Sequence, residues 1–192
     1  MRLVTAVAVA AVLAVAAACG SSPSSPSTGG TLNIALKDSP FSDAKSLLVT
    51  FSEVDAHKSD QADGQWTKLP FTGRAGTRTC DLKKLQTAQD ILGTGPLAAG
   101  QYTQIRLVVS SATIYFDNAA SGNACDTTIA APAGANASVT IPSGEVKLVQ
   151  PFTVPTTGAT TILLDFDGNQ SVLLQGNGAY SMKPVITVVS VS

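Results

Sequence analysis

Period-two alternation of apolar residues, cut at short intervals by Gly, Pro, Asp and Asn, restricts the fold of this chain more than any other feature. Successive side chains on a strand point to opposite faces, so an alternating run can bury one face and wet the other. Thr31 to Lys37 places Leu32, Ile34 and Leu36 on one side. It stops at Asp38-Ser39-Pro40, where Asp favours a turn and Pro has no N–H for a ladder. Similar runs cover 47–58, 66–69 (entered through Asp63-Gly64), 138–141, 146–154, 160–166, 171–174 and 180–191. The run 102–116 is apolar on both faces around Ile105-Arg106-Leu107-Val108-Val109, as in a central strand covered on both sides. One segment differs. Leu82, Leu85, Ala88, Ile91 and Leu92 recur at spacings of three and four between Asp81 and Gly93, which predicts a short helix, or a turn with helical character, over 81–92. Residues 117–136 read as a long loop rich in Gly, Ala and Asn. The sum is an all-β chain, an antiparallel β-sandwich with at most one short helix.

Leu97-Ala98-Ala99-Gly100-Gln101-Tyr102 refines the class. A Leu-x-x-Gly-x-Tyr segment recurs in immunoglobulin-like and transthyretin-like sandwiches, where the Tyr hydroxyl ties down nearby backbone.

The N-terminus reads as an address. Met1-Arg2 gives a minimal positive region, and Leu3 to Ala18 is apolar except for Thr5. As a helix that stretch spans roughly 24 Å, short of the ~30 Å hydrocarbon core, so it fits a secretory signal better than a spanning segment. It ends in Val15-Ala16-Ala17-Ala18-Cys19-Gly20, which resembles the lipobox of bacterial lipoproteins. That resemblance implies that Cys19 is lipidated and becomes the new N-terminus, with membrane lipid as its partner. Gly20 to Gly30 contains only Gly, Ser, Pro and Thr, which cannot offset the entropy of ordering and should form a flexible tether. The expected organisation is a signal peptide over 1–18, lipidated Cys19 with its tether over 19–30, and one sandwich domain over 31–192. The expected location is the cell envelope, at an outer membrane or the cell surface, where two or more acyl chains hold stably.

The charge is low and dispersed, 12 basic against 13 acidic residues, with no basic stripe, so no nucleic-acid partner is expected. Cys80 and Cys125 both sit in Gly/Ser/Thr-rich surroundings. In an oxidising compartment such a pair suggests a disulfide, with two free thiols as the alternative. Neither has a Cys or His neighbour for a metal.

Few residues offer chemistry. Alternation puts Glu53, Asp55 and His57 on one strand face, where they could hold a divalent metal or polarise a water, or simply form a solvated face. His57 is the only histidine, which weakens zinc. Asp165-Phe166-Asp167-Gly168-Asn169 opens like a calcium loop, but Gln170 and Gly176 stand where that pattern needs Gly and Glu. The plainer expectation is a hairpin turning at Gly168-Asn169, with Asp165 paired to Arg106 or Lys183. There is no Gly-x-Ser-x-Gly elbow, and no cofactor motif is present. Trp66, beside the Asp60–Gly64 loop, is either a core anchor or the best candidate ligand contact.

In order along the chain stand Gly30-Thr31-Leu32-Asn33-Ile34-Ala35-Leu36-Lys37-Asp38-Ser39-Pro40, Val54-Asp55-Ala56-His57, Trp66, Asp81-Leu82 and Leu97 to Leu107. Ile141-Pro142-Ser143-Gly144, Leu164 to Asp167 with Ser171-Val172, and Tyr180 to Ile186 follow. This succession resembles the secreted family called domain of unknown function 4382. The resemblance covers residues 30–190 and implies a sandwich in a lipoprotein or cell-surface setting, with no implied activity. Two classes of function follow as expectations. The first is a non-catalytic surface or periplasmic module, binding or structural, with a carbohydrate or protein partner. The second is a calcium- or zinc-dependent site or hydrolase using Glu53, Asp55 and His57, or Asp165 and Asp167.

Overall fold

A computed structural model describes residues 29–39, 44–74 and 76–192. The expected signal, Cys19, most of the tether and Pro40 lie outside the described residues. The long pairing of two strands sets the architecture. Strand β2 (Ser46–Lys58) runs antiparallel to the later β6 (Gly100–Tyr115), from Ser46 opposite Tyr115 to Lys58 opposite Tyr102. The free edge of β2 is shared by β3 (Thr67–Lys68) and β4 (Arg78–Asp81), and β4 pairs in turn with β7 (Cys125–Asp126). The free edge of β6 is shared by β8 (Asn136–Thr140) and β9 (Glu145–Val154). Beyond β8 lie β12 (Tyr180–Met182) and β11 (Val172–Leu174), which complete a nine-stranded sheet.

The second sheet has four strands. Its centre is β1 (Gly29–Ser39), which pairs antiparallel with β5 (Asp90–Ala98) and parallel with β10 (Ala159–Asp167). Strand β13 (Ile186–Val191) closes the other edge of β10. Leu32, Ile34 and Leu36 from β1, and Ile162, Leu164 and Phe166 from β10, face the larger sheet and are fully buried. They pack in one cluster with Leu47, Val49, Phe51, Ile105, Leu107 and Ile114. The pairing is mostly antiparallel, and the sandwich class read from the alternating runs is observed.

Several boundaries differ from the sequence expectation, each for a local reason. The helix over 81–92 is a single turn, α1 (Leu82–Leu85). Asp81 starts it by accepting from Lys83 N–H at 3.1 Å and also takes Ser46 Oγ–H at 2.7 Å and Leu47 N–H at 3.1 Å. The rest of the segment is claimed by β5, whose backbone pairs with β1. The run 180–191 divides at Lys183-Pro184-Val185, and its halves join different sheets, because Pro184 cannot donate to a ladder. The hairpin at Gly168-Asn169 is instead a second helical turn, α2 (Gly168–Ser171), capped by Asp167, which accepts from Gln170 N–H at 2.9 Å. The chain then leaves β10's sheet for β11. The outward face of β6 is half-buried rather than packed in a second core.

Two local devices hold the ends together. The hydroxyl of Tyr102 donates to Ala98 O at 2.9 Å, the backbone tie expected of its motif. Cys80 and Cys125, directly opposite on β4 and β7, form a disulfide. Buried Arg78 lies beside it and pairs with Asp90 at 3.1 Å while donating to Cys125 O at 3.4 Å. The disulfide closes a long loop, so its loss releases chain entropy in the unfolded state. Cys80→Ser with Cys125→Ser is expected to lower stability by about 2–4 kcal/mol in denaturant titration, and an unchanged midpoint and slope would contradict this.

Candidate functional site

A bulge in β2 places the polar residues. The register against β6 slips between Thr50 and Glu53, which reverses the phase of alternation. Before the bulge Leu47, Val49 and Phe51 point into the core; after it Val54 and Ala56 do. Glu53, Asp55 and His57 therefore share the outer face of the large sheet, as their spacing implies. The ladders align them with residues from neighbouring strands. Lys68, Asp55, Arg106 and Lys147 form one row across β3, β2, β6 and β9. Glu53, Val108 and Glu145 form the row on one side, and His57, Gln104 and Val149 the row on the other. Gly144 seats the start of β9: Val109 N–H donates to Gly144 O at 2.7 Å, and a Cβ at 144 would overlap Val109 O.

The face is a connected network. Arg106 donates from Nε to Asp55 Oδ2 at 2.8 Å, and its Nη2 lies 3.2 Å from Glu53. Its Nη1 lies 3.8 Å from Glu145, which also pairs with Lys147 at 2.8 Å. Lys68 pairs with Glu53 at 3.2 Å. Asp55 is 2% exposed, and burial pushes its carboxyl above the usual range while Arg106 pulls it back. Lys147 holds the exposed Glu145 below the usual range.

Trp66 immediately precedes β3 and folds back over this network. The Arg106 Cζ lies 5.0 Å from its ring centre and Lys147 Nζ 5.9 Å, within cation–π range. The His57 ring meets it edge-on at 5.2 Å. Trp66 is half-buried on the outer face, so the alternative of a core anchor does not hold. The indole is instead covered by the Arg106 and Lys147 cations and the edge of the His57 ring.

His57 is held at both nitrogens. Nε2 lies 3.3 Å from Ala62 O, and a carbonyl can only accept, so Nε2 donates. Nδ1 lies 3.2 Å from the Thr103 hydroxyl. The three candidate metal ligands thus share a face but turn to separate partners, Asp55 and Glu53 to cations and His57 to Thr103 and Ala62. No metal-ligating group of three or more His, Cys, Asp or Glu is found among the described residues.

The second constellation is spread over structural tasks. Asp165 pairs with Lys37, its parallel neighbour, at 3.2 Å, where Arg106 or Lys183 was expected from the sequence. Asp167 caps α2. A third carboxylate was not legible from spacing: buried Asp38 accepts Gly168 N–H at 3.1 Å and Gln86 Nε2 at 3.4 Å. Burial pushes Asp38 up to about 7, with Asp165 and Asp167 adding to the rise and the Gly168 and Gln86 bonds opposing it. A shallow 390 Å³ cleft on the outer face of the small sheet is lined by Ala35, Ile91, Thr161, Leu163 and neighbours. Its one ionisable side chain, Asp90, is committed to Arg78.

A family model described as a domain of unknown function (DUF4382) matches residues 29–184. The chain belongs to this family. No curated protein and no solved structure matches it. The DUF4382 span contains the whole Trp66 network, the disulfide and the Tyr102 tie. Of that network, Glu53, Asp55, His57 and Trp66 were legible as candidates. Arg106, Lys68, Glu145 and Lys147 were not, although a charge inside the apolar run 105–109 is a signal that something must pair with it.

Two outcomes follow. Arg106→Met keeps the stem and strands Asp55, so stability at neutral pH should fall by about 3 kcal/mol. The loss should shrink as pH drops towards about 4, where the unfolded Asp is protonated too, and Asp55→Asn in the same chain should remove that pH dependence. Denaturant titration at several pH values reads both, and a pH-independent loss would contradict the pairing. For Asp38 the folded value lies above the unfolded one, so the folded state holds more protons between about pH 4 and 7. Its contribution therefore favours folding at low pH and is lost as pH rises through that window. Asp38→Asn should be more stable than the parent at pH 8 and lose that advantage by about pH 4. Equal melting temperatures at both pH values would refute the assignment.

Proposed function

We propose that this DUF4382 chain is a membrane-anchored, non-catalytic envelope module that acts by contact through the outer face of its larger sheet. One observation carries the reading. Trp66 is half-buried while lying over a network of paired charges whose outer members are exposed. A half-buried indole rimmed by polar groups is the usual anatomy of a contact surface, where aromatic residues supply area and the rim supplies hydrogen bonds. Against catalysis stands the use already made of every candidate. His57 is bonded at both nitrogens, Asp55 and Glu53 face Arg106, and Asp167 serves as a cap. A general base acts from a lone pair held ready for a substrate proton, whereas His57 and Asp55 spend theirs on contacts within the sheet.

The setting supports the same reading. The apolar 1–18 stretch, Cys19 and the Ser/Pro/Gly tether are arranged as for an exported, lipid-anchored protein at an outer membrane or cell surface. A tether of that composition lets a domain reach partners near the membrane without fixing its orientation.

The anchor has a direct test. Expressed with its own N-terminus, the parent chain should sediment with membranes, resist a high-salt wash and be released by detergent. Cys19→Ala should be exported and recovered in the soluble fraction. Continued sedimentation of Cys19→Ala with membranes would overturn the anchor.

A further inference from the structure

The outer face carries charges in balance. Lys68, Arg106 and Lys147 stand against Glu53, Asp55 and Glu145, and each cation has a carboxylate partner within 3.2 Å. A surface built to hold an anion or a cation would carry an excess of the opposite sign, which this one lacks. What it does present is donors and acceptors side by side. Glu53 and Lys68 are 37% and 55% exposed on one side of Trp66, and Glu145 and Lys147 are 41% and 52% exposed on the other. Each exposed carboxylate has lone pairs beyond those its ion pair uses, and each ammonium has further N–H groups.

We propose that this face binds a neutral glycan, stacked on Trp66 and hydrogen-bonded at both sides by the Glu53–Lys68 and Glu145–Lys147 pairs. The proposal rests on the reading of this face as a contact surface and names the chemistry of its ligand. A pyranose ring has an apolar face of C–H groups and a rim of hydroxyls, and every hydroxyl both donates and accepts. The indole meets the first requirement and the charge pairs meet the second. Charge-assisted hydrogen bonds to hydroxyls are the stronger kind, so a neutral ligand gains from paired charges without any net field. The ion pairs also fix the geometry of the polar groups before binding, which lowers the entropy cost of ordering them. The platform from β3 to β9 spans three strand spacings, about 14 Å, which gives room for more than one sugar ring.

The test presents the full chain, in detergent micelles, to soluble dextran, galactomannan and xylan. Alginate serves as the anionic comparison and chitosan as the cationic one. Binding is read as a rise in melting temperature with polysaccharide concentration. The expected result is a rise with at least one neutral polysaccharide, equal at low salt and at about 0.5 M salt. Trp66→Ala should weaken that binding by about tenfold or more. Removing the indole also uncovers the Asp55–Arg106 pair, so Glu145→Gln is measured beside it. Glu145→Gln keeps an acceptor but loses the charge at an exposed rim position, and should weaken binding several-fold while leaving the unliganded melting temperature near the parent's. No rise with any neutral polysaccharide would overturn the proposal, as would neutral binding undiminished in both variants. A rise with alginate or chitosan alone, erased by salt and by Trp66→Ala, would overturn the neutral-glycan assignment while leaving the contact surface in place.

Discussion

The antiparallel ladder between β2 and β6 is the constraint on which the rest of this domain depends. Strands β3, β4, β8 and β9 attach directly to one of these two, and β7, β11 and β12 attach through β4 or β8. Its inward face supplies the core that the small sheet packs against, and its outward face carries the Trp66 network. The β2 bulge near Thr50 to Glu53 makes both possible on one strand. Without it the alternation that turns Phe51 inward would have turned Glu53, Asp55 and His57 into the apolar core as well. This irregular stretch of the ladder therefore separates the part of the strand that feeds the core from the part that carries the Trp66 network.

Buried charge is handled in the same way throughout, by giving each group a partner fixed by the backbone. Asp81 takes two backbone N–H groups and the Ser46 hydroxyl, joining α1 to β2. Arg78 sits between Asp90 and the carbonyl of Cys125, joining the two sheets beside the disulfide. Asp55 is held by Arg106 beneath Trp66. Such pairs contribute little net stability over apolar packing, but removing one partner is costly, so they specify register more than they stabilise it. Asp38 differs: burial pushes its carboxyl up, Asp165 and Asp167 add to the rise, and its neutral donors oppose it without supplying a cation.

Much of the fold was legible in the sequence, because period-two alternation is local information. Leu32, Ile34 and Leu36, or Ile162, Leu164 and Phe166, declare their inward face without reference to any other strand. What was not legible required knowing the partner. Residues 86–92 look helical by spacing, yet β5 forms because β1 offers it a ladder. Asp167-Gly168-Asn169 looks like a hairpin turn, yet Asp38, far away in sequence, takes the Gly168 N–H and Asp167 caps the turn as a helix. The candidate site divides similarly. Glu53, Asp55 and His57 were visible from one strand, whereas Arg106, Glu145 and Lys147 join them only through cross-strand register. Membership of the DUF4382 family was carried by the order of short motifs, most of which prove to be turns, caps and strand starts rather than chemistry.

The central claim is that Trp66 is a half-open contact on the outer face, resting on Arg106, and not part of the sandwich core. The chain has a single tryptophan, so its fluorescence reports that position alone. Acrylamide quenching of the full chain in detergent measures the claim most directly. The account predicts quenching intermediate between a free indole and a fully buried one, rising in Arg106→Met as the ring loses the guanidinium beneath it. Emission that acrylamide leaves untouched, in both the parent and Arg106→Met, would contradict it.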